Sequence, residues 1–231
     1  MKIFVNDIPV KIVSLSAKIN HCIFDRIIEN GTEIIPDHFK GKILMRYPQS
    51  KEVVTVTRLI HLSKLIHINE LTILTEKKKM IFNLIKKQFK LIKAAGGVVT
   101  KDNKILLIYR YGRWDFPKGK IDDNESSKDC AQREIFEECG VLAEVEDILT
   151  KTWHTYLTKN GKSFIKKTIW FKMKNIDDKM IKPQTEEGIE KIGWFSEEET
   201  ESLINENSYN SIKHVFKKYK KKKEEKKNCI L

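Results

Sequence analysis

Glu134, Glu137 and Glu138 stand at i, i+3 and i+4 of one short run. On a helix, that spacing puts three carboxylates on one face. Such a face repels itself unless cations sit within it. Hard oxygen donors suit Mg2+ or Mn2+, ions held by carboxylates together with substrate phosphates. A cation there would neutralise a diphosphate and activate a water. Arg133 lies four residues before Glu137 and is placed to hold it. The competing reading is a solvated acidic face, the usual fate of a charge run.

The carboxylates need a helix with defined ends. Asn124, Ser126 or Ser127 can cap one that runs to about Cys139. Gly140 then falls where helices stop, because glycine tolerates a left-handed backbone. Ala131 and Ile135, four apart, give the helix an apolar side for a core.

The residues around the carboxylates sit at fixed offsets. From Gly119, five free positions lead to Glu125, and seven more lead to Arg133, Glu134 and Ile135. Glu137, Glu138, Gly140 and Val141 complete the set. These nine positions over 23 residues resemble the Nudix box, the signature of hydrolases that cut a diphosphate linked to another moiety. The resemblance covers about residues 93–216. It implies an α/β (α+β) fold with a mixed sheet sandwiched between helices, and a phosphoanhydride hydrolase using Mg2+ (or Mn2+).

The resemblance also implies roles. Glu134 and Glu138 hold the metal, with Glu125 and the backbone at Gly119 assisting. Glu137, oriented by Arg133, takes the proton from the attacking water, and Glu187 in the loop Pro183–Gly188 is the alternative base. Lys118 and Lys120 flank Gly119 and are read as phosphate contacts. His154 and Tyr156 are substrate-binding candidates, against the plainer reading of ordinary sheet residues. The run Trp114–Ile121 is similar to the mRNA-decapping branch of the family. The wider combination of Pro117–Lys120, His154–Tyr156 and Pro183–Glu187 is more similar to bacterial proteins near the diadenosine-polyphosphate and diphosphoinositol hydrolases. A small nucleotide or diphosphate is therefore the expected substrate, with an RNA 5′-end decapping enzyme or pyrophosphohydrolase and a non-catalytic ligand sensor as alternatives.

Composition bounds the rest. The 231 residues allow one domain or one plus a smaller one. No apolar run approaches the length of a membrane span, and Asn6 and Asp7 interrupt the N-terminus too early for a signal peptide. Cys22, Cys130, Cys139 and Cys229 show neither metal nor disulfide spacing and read as reduced thiols in a cytoplasm. Cys229 is third from the end, where prenylation needs the fourth position. The net charge is +12, and Lys217–Lys227 carries eight lysines and two glutamates, or +6 of it. Six of the 44 basic residues are arginine, so nucleic acid is a less favoured partner than a small molecule.

The remaining elements follow from pattern. Residues 1–92 read as a small α/β unit for dimerisation or packing, with substrate recognition as the alternative. It would hold a hairpin over Lys2–Val13, a helix over Ile19–Asn30, strands at Lys42–Arg46 and Glu52–Leu59, and an amphipathic helix over Glu76–Leu91. Residues 93–216 hold strands at Ile105–Arg110, Leu142–Tyr156, Ser163–Met173 and Ile189–Phe195. A helix capped by Ser196 follows, then one bearing Ile212, Val215, Phe216 and Tyr219. The lysine-rich stretch 217–231 is expected to be disordered.

Overall fold

Asn6 and Asp7 adopt positive φ (47° and 64°), the two-residue turn whose twist matches that of antiparallel strands. They join β1 (Lys2–Val5) to β2 (Ile8–Val13). The computed structural model describes residues 1–228. Its first unit comprises Met1–Ile92 and Trp153–Lys166. There β3 (Arg26–Glu29), β4 (Gly41–Arg46) and β5 (Ile68–Leu74) join β1 and β2 in the order β1-β2-β5-β4-β3, with β2, β5, β4 and β3 parallel. Helix α1 (Ser50–His61) makes the crossover from β4 to β5, and α2 (Lys78–Lys86) follows β5. Ile3, Val5, Val10, Ile12, Ile43, Met45, Leu71 and Ile73 meet Val53, Val56 and Ile60 of α1 and Ile81 and Ile85 of α2 in the core.

Three expectations for this unit are corrected. Glu52–Leu59, expected as a strand, lies within α1. Its Val-Thr alternation fits a period of two, but Val53, Val56, Thr57 and Ile60 are the residues buried, at helical spacing. Gln49 and Glu52 form a capping box that starts the helix. Ile19–Asn30, expected as a helix, holds only the 3-10 turn His21–Ile23 before β3. Ile28 enters the core while Ile23 and Ile27 are exposed, so no helical apolar face exists. The helix expected to Leu91 stops at Lys86, and Phe89 packs its ring against His61 at 4.8 Å.

His61 is buried at the C-terminus of α1. Its Nδ1 lies 3.0 Å from Thr155 Oγ1 and its Nε2 3.0 Å from Ser163 Oγ. Thr155 Oγ1 also accepts from the Asn6 amide at 3.1 Å. One imidazole thus ties the helix to the segment Trp153–Lys166. Burial lowers its pKa from the ordinary 6.5.

The second unit comprises Lys93–Thr152 and Lys167–Leu231. Its strands are β7 (Lys104–Arg110), β8 (Arg113–Asp115), β9 (Lys118–Lys120) and β12 (Ile189–Phe195), with those parts of β6 (Lys90–Lys101), β10 (Leu142–Leu157) and β11 (Ser163–Asp177) that fall within these residues. Their order is β12-β7-β6-β11-β10, with β8 on β7 and β9 on β6. Side chains alternate between two cores. Ala95, Val99, Leu106, Ile108, Phe171 and Met173 meet α3 (Ser127–Cys139) through Cys130, Ala131, Ile135 and Cys139. Val98, Ile105, Leu107, Phe116 and Trp170 meet Ile204 of α4 (Glu197–Glu206) and Ile212, Val215, Phe216 and Tyr219 of α5 (Asn210–Asn228). The result is an α/β fold with its sheet between helices.

Of the stretch 217–231 expected to be disordered, Lys217–Asn228 is helical, as a continuation of α5. Tyr219 is buried in the core, Lys220 pairs with Glu201 at 2.7 Å, Lys222 with Asp147 at 3.1 Å, and Lys223 with Glu197. These contacts offset the repulsion within the lysine run. Cys229 lies outside the described residues. Among the described residues no helix is long and apolar enough to cross a membrane.

The His61 site yields a sign. Its folded-state pKa is lowered, so below about pH 6.5 the unfolded chain binds the proton more readily, and stability is lost as pH falls. Denaturant midpoints read from Trp153 fluorescence are expected to fall between about pH 7 and about pH 5, and His61→Gln should flatten that slope. An unchanged slope in the variant would remove His61 as its cause.

Candidate active site

Ser126 caps α3 by accepting from the Asp129 amide, and Gly140 ends it at φ 66°. Between these ends the three glutamates have different surroundings. Glu138 is fully buried and Glu134 nearly so, whereas Glu137 faces solvent. The sheet supplies what the buried pair needs. Register places Gly119 of β9 opposite Ala95 of β6, and the Lys118 amide donates to Glu138 Oε2 at 2.8 Å. Arg110, at the end of β7, donates from Nη1 to Glu138 Oε1 at 2.9 Å. Burial pushes the Glu138 carboxyl up to about 7, against the opposing pull of Lys118 and Arg110. Burial also raises Glu134, with Arg133 acting the other way.

Arg133 is the second organiser. It donates to both oxygens of Glu125 at 2.7 and 2.8 Å, to Glu134 at 2.9 Å, to Glu137 at 2.8 Å and to the Lys120 carbonyl at 3.0 Å. The bidentate guanidinium holds Glu125 down at about 2. Glu125 is thus bound up with Arg133. The fork expected at Glu137 serves three carboxylates at once.

Gly119 lies against Glu134. A Cβ there would stand 1.9 Å from Glu134 Oε2, so only glycine lets the strand pass this close. The donors near this cradle are carboxylates and the carbonyls of Gly119 and Lys120, all oxygen, which fits Mg2+ or Mn2+. Among the described residues no three ligand-type side chains are gathered as a ready cage, since the arginines hold the carboxylate oxygens. Cys130 and Cys139 are buried beneath the helix, and the Cys130 thiol bonds the Lys120 carbonyl at 3.5 Å. Burial, with Glu125 and Glu134 nearby, pushes that thiol up to about 12.

The other expected residues differ in what holds them. The Lys118 ammonium is held by Asp115 at 2.5 Å and lies 5.9 Å from the Trp170 ring, so its backbone amide bonds Glu138 while its charge acts on that carboxylate without a hydrogen bond. Lys120 has an exposed side chain and contributes its carbonyl to Arg133. His154 and Tyr156 belong to the first unit, where Tyr156 stacks on Phe164 at 5.6 Å. Glu187 ends the 3-10 turn Thr185–Glu187 and pairs with Arg110 at 2.6 Å. Arg110 was not anticipated. Its sequence signal is a single arginine closing the apolar run Ile105–Arg110.

The family model described as NUDIX domain matches residues 90–216, more than half of the chain, and the chain belongs to that family. A curated relative is an RNA pyrophosphohydrolase of Pasteurella multocida (strain Pm70), 34% identical over 113 residues, covering 42% of this chain and 57% of that one. The RNA pyrophosphohydrolase of Histophilus somni (strain 2336) is 29% identical over 110 residues, with the same coverage. The chain thus spans little more than half the length of these relatives. Among solved structures, the MutT protein from Methanosarcina mazei Go1 is 21% identical with a TM-score of 0.47, covering 59% of this chain and 97% of that one.

Two outcomes follow from the packing here. Gly119→Ala must displace the Glu134 carboxylate, the movable end of a side chain. The variant is expected to fold normally yet bind Mn2+ at least about tenfold more weakly, measured by calorimetry. In native alkylation at about pH 8, a thiol this buried stays protonated, so Cys130 and Cys139 should remain unmodified until the protein is unfolded, while exposed Cys22 reacts.

Proposed function

We propose that this protein hydrolyses a phosphoanhydride bond in a nucleoside diphosphate linked to a second group, with Mg2+ or Mn2+ as cofactor. A dinucleoside polyphosphate or a similar small molecule is the favoured substrate. The observation that supports this most is the placement of Glu134 and Glu138, buried beside Gly119 and served by Arg133 and Arg110. Structural helices rarely bury two carboxylates without a task for them.

In this reading Glu134 and Glu138 hold the cation, and the carbonyl at Gly119 completes the oxygen set. The bound cation would supply charge neutralisation at the diphosphate and a more acidic water. Glu125 keeps Arg133 in place. Arg133 orients Glu137, whose exposed carboxylate accepts the proton of the attacking water. Glu187 is the alternative base. Lys120 is free to meet a phosphate oxygen, whereas Lys118 would first have to leave Asp115. Residues 1–92 serve as a packing or dimerisation module.

A second reading has its own support. The curated relatives carry the name RNA pyrophosphohydrolase. In that reading the substrate is a triphosphorylated RNA 5′ end, and the chemistry at phosphorus is unchanged.

A Mg2+-dependent release assay separates these. The panel holds diadenosine polyphosphates, nucleoside triphosphates, diphosphoinositols and 5′-triphosphorylated RNA, with Glu138→Gln as control. Turnover of one compound, lost in the control, fixes the substrate class. Absence of turnover across the panel overturns both readings in favour of a ligand sensor. On the compound that is cleaved, Glu137→Gln is expected to lower kcat at least about a hundredfold with the fold intact. Full activity would move the base to Glu187.

A further inference from the structure

β7 ends at Arg110, and the sheet register sets Arg110 opposite Ile189, the first residue of β12. The turn Thr185–Glu187 immediately precedes that strand. Arg110 therefore stands where a loop and a helix converge. Its Nη1 donates to Glu138 at 2.9 Å, its Nη2 to Glu187 Oε2 at 2.6 Å, and its Nε to the Glu187 carbonyl at 3.0 Å. One planar fork thus holds a fully buried carboxylate on α3, together with both the side chain and the backbone of one loop residue.

The rest of the loop is docked in the same direction. The Gln184 amide donates to the Glu138 carbonyl at 3.1 Å and the Lys182 amide to the Cys139 carbonyl at 3.0 Å. At the far end, the Tyr111 amide donates to the Gly188 carbonyl at 3.3 Å. These backbone bonds fix the two ends of the loop. They leave the direction of the Glu187 side chain open, and the Arg110 fork sets it.

We propose that Arg110 is a positioning residue that locks the Glu187 loop onto the buried carboxylate of Glu138 and so fixes the spacing between Glu187, the alternative base, and the candidate cation ligand Glu138. This rests on the hydrolase reading above for its catalytic meaning. The structural link is independent of it. A substrate-binding arginine would present its donors outward, whereas all three nitrogens of this one are engaged by protein oxygens.

The test uses Arg110→Lys. Lysine keeps a positive charge beside Glu138, which protects the fold, but an ammonium is a point donor that does not span two carboxylates and a carbonyl. In hydrogen–deuterium exchange of the metal-free protein, the Glu187 and Gly188 amides, bonded to the carbonyls of Gln184 and Thr185, should exchange at least about tenfold faster. The amides of α3 should keep their protection. Glu187→Ala, at a half-exposed position, should give the same loop-specific loss without disturbing Glu138. On a compound that the wild type cleaves, Arg110→Lys should lower kcat at least about tenfold at nearly constant KM.

Unchanged loop exchange in both variants would overturn the proposal. A raised KM with unchanged kcat would overturn it too, making Arg110 a substrate-binding residue. A wild type without turnover would overturn the hydrolase reading alone, because the exchange measurement still decides whether Arg110 holds the loop.

Discussion

The second unit is organised around one constraint, the burial of carboxylates. A carboxylate removed from water is costly unless hydrogen bonds and a counter-charge compensate it. Glu138 meets that condition through the Lys118 amide and the Arg110 guanidinium, and Glu134 through Arg133. Each partner comes from a different element. β9 must lie against β6, β7 must end where Arg110 reaches α3, and the helix must present Arg133 toward Glu125. The same bonds that make burial tolerable fix where these carboxylates sit.

The two arginines divide the work by position. Arg133 sits on the helix itself and binds a local set of acids, so its partners are near in sequence. Arg110 lies 28 residues before Glu138 and 77 before Glu187, and joins them only because β12 pairs with β7. A local network of this kind forms with the helix. The long-range one depends on sheet register, and a slip of one residue would turn Arg110 to the other face.

The misread elements share a cause. In Glu52–Leu59 and Ile19–Asn30 the apolar residues are mostly β-branched and the segments short, so each fits two periods. What decided α1 was the Gln49–Glu52 capping box and a face to bury against β2, β4 and β5. What decided β3 was parallel pairing with β4. The lysine stretch was misjudged on charge alone. Tyr219 and the acids Glu201, Asp147 and Glu197 carry the helix through it.

By itself the sequence determined the helix bearing Glu134, Glu137 and Glu138, its stop at Gly140 and the Arg133–Glu137 pair, and the spacing from Gly119 to Val141 pointed to the family. All of these depend on offsets within a few turns of one chain segment, which helical geometry alone converts into contacts. Only the tertiary structure decided that Glu138 is buried while Glu137 is not, that Lys118 bonds Glu138 through its backbone while its ammonium pairs with Asp115, and that Arg110 reaches Glu187. Those facts depend on which strands lie side by side and which face of each is covered. That is settled by burial across distant segments, and no local spacing encodes it.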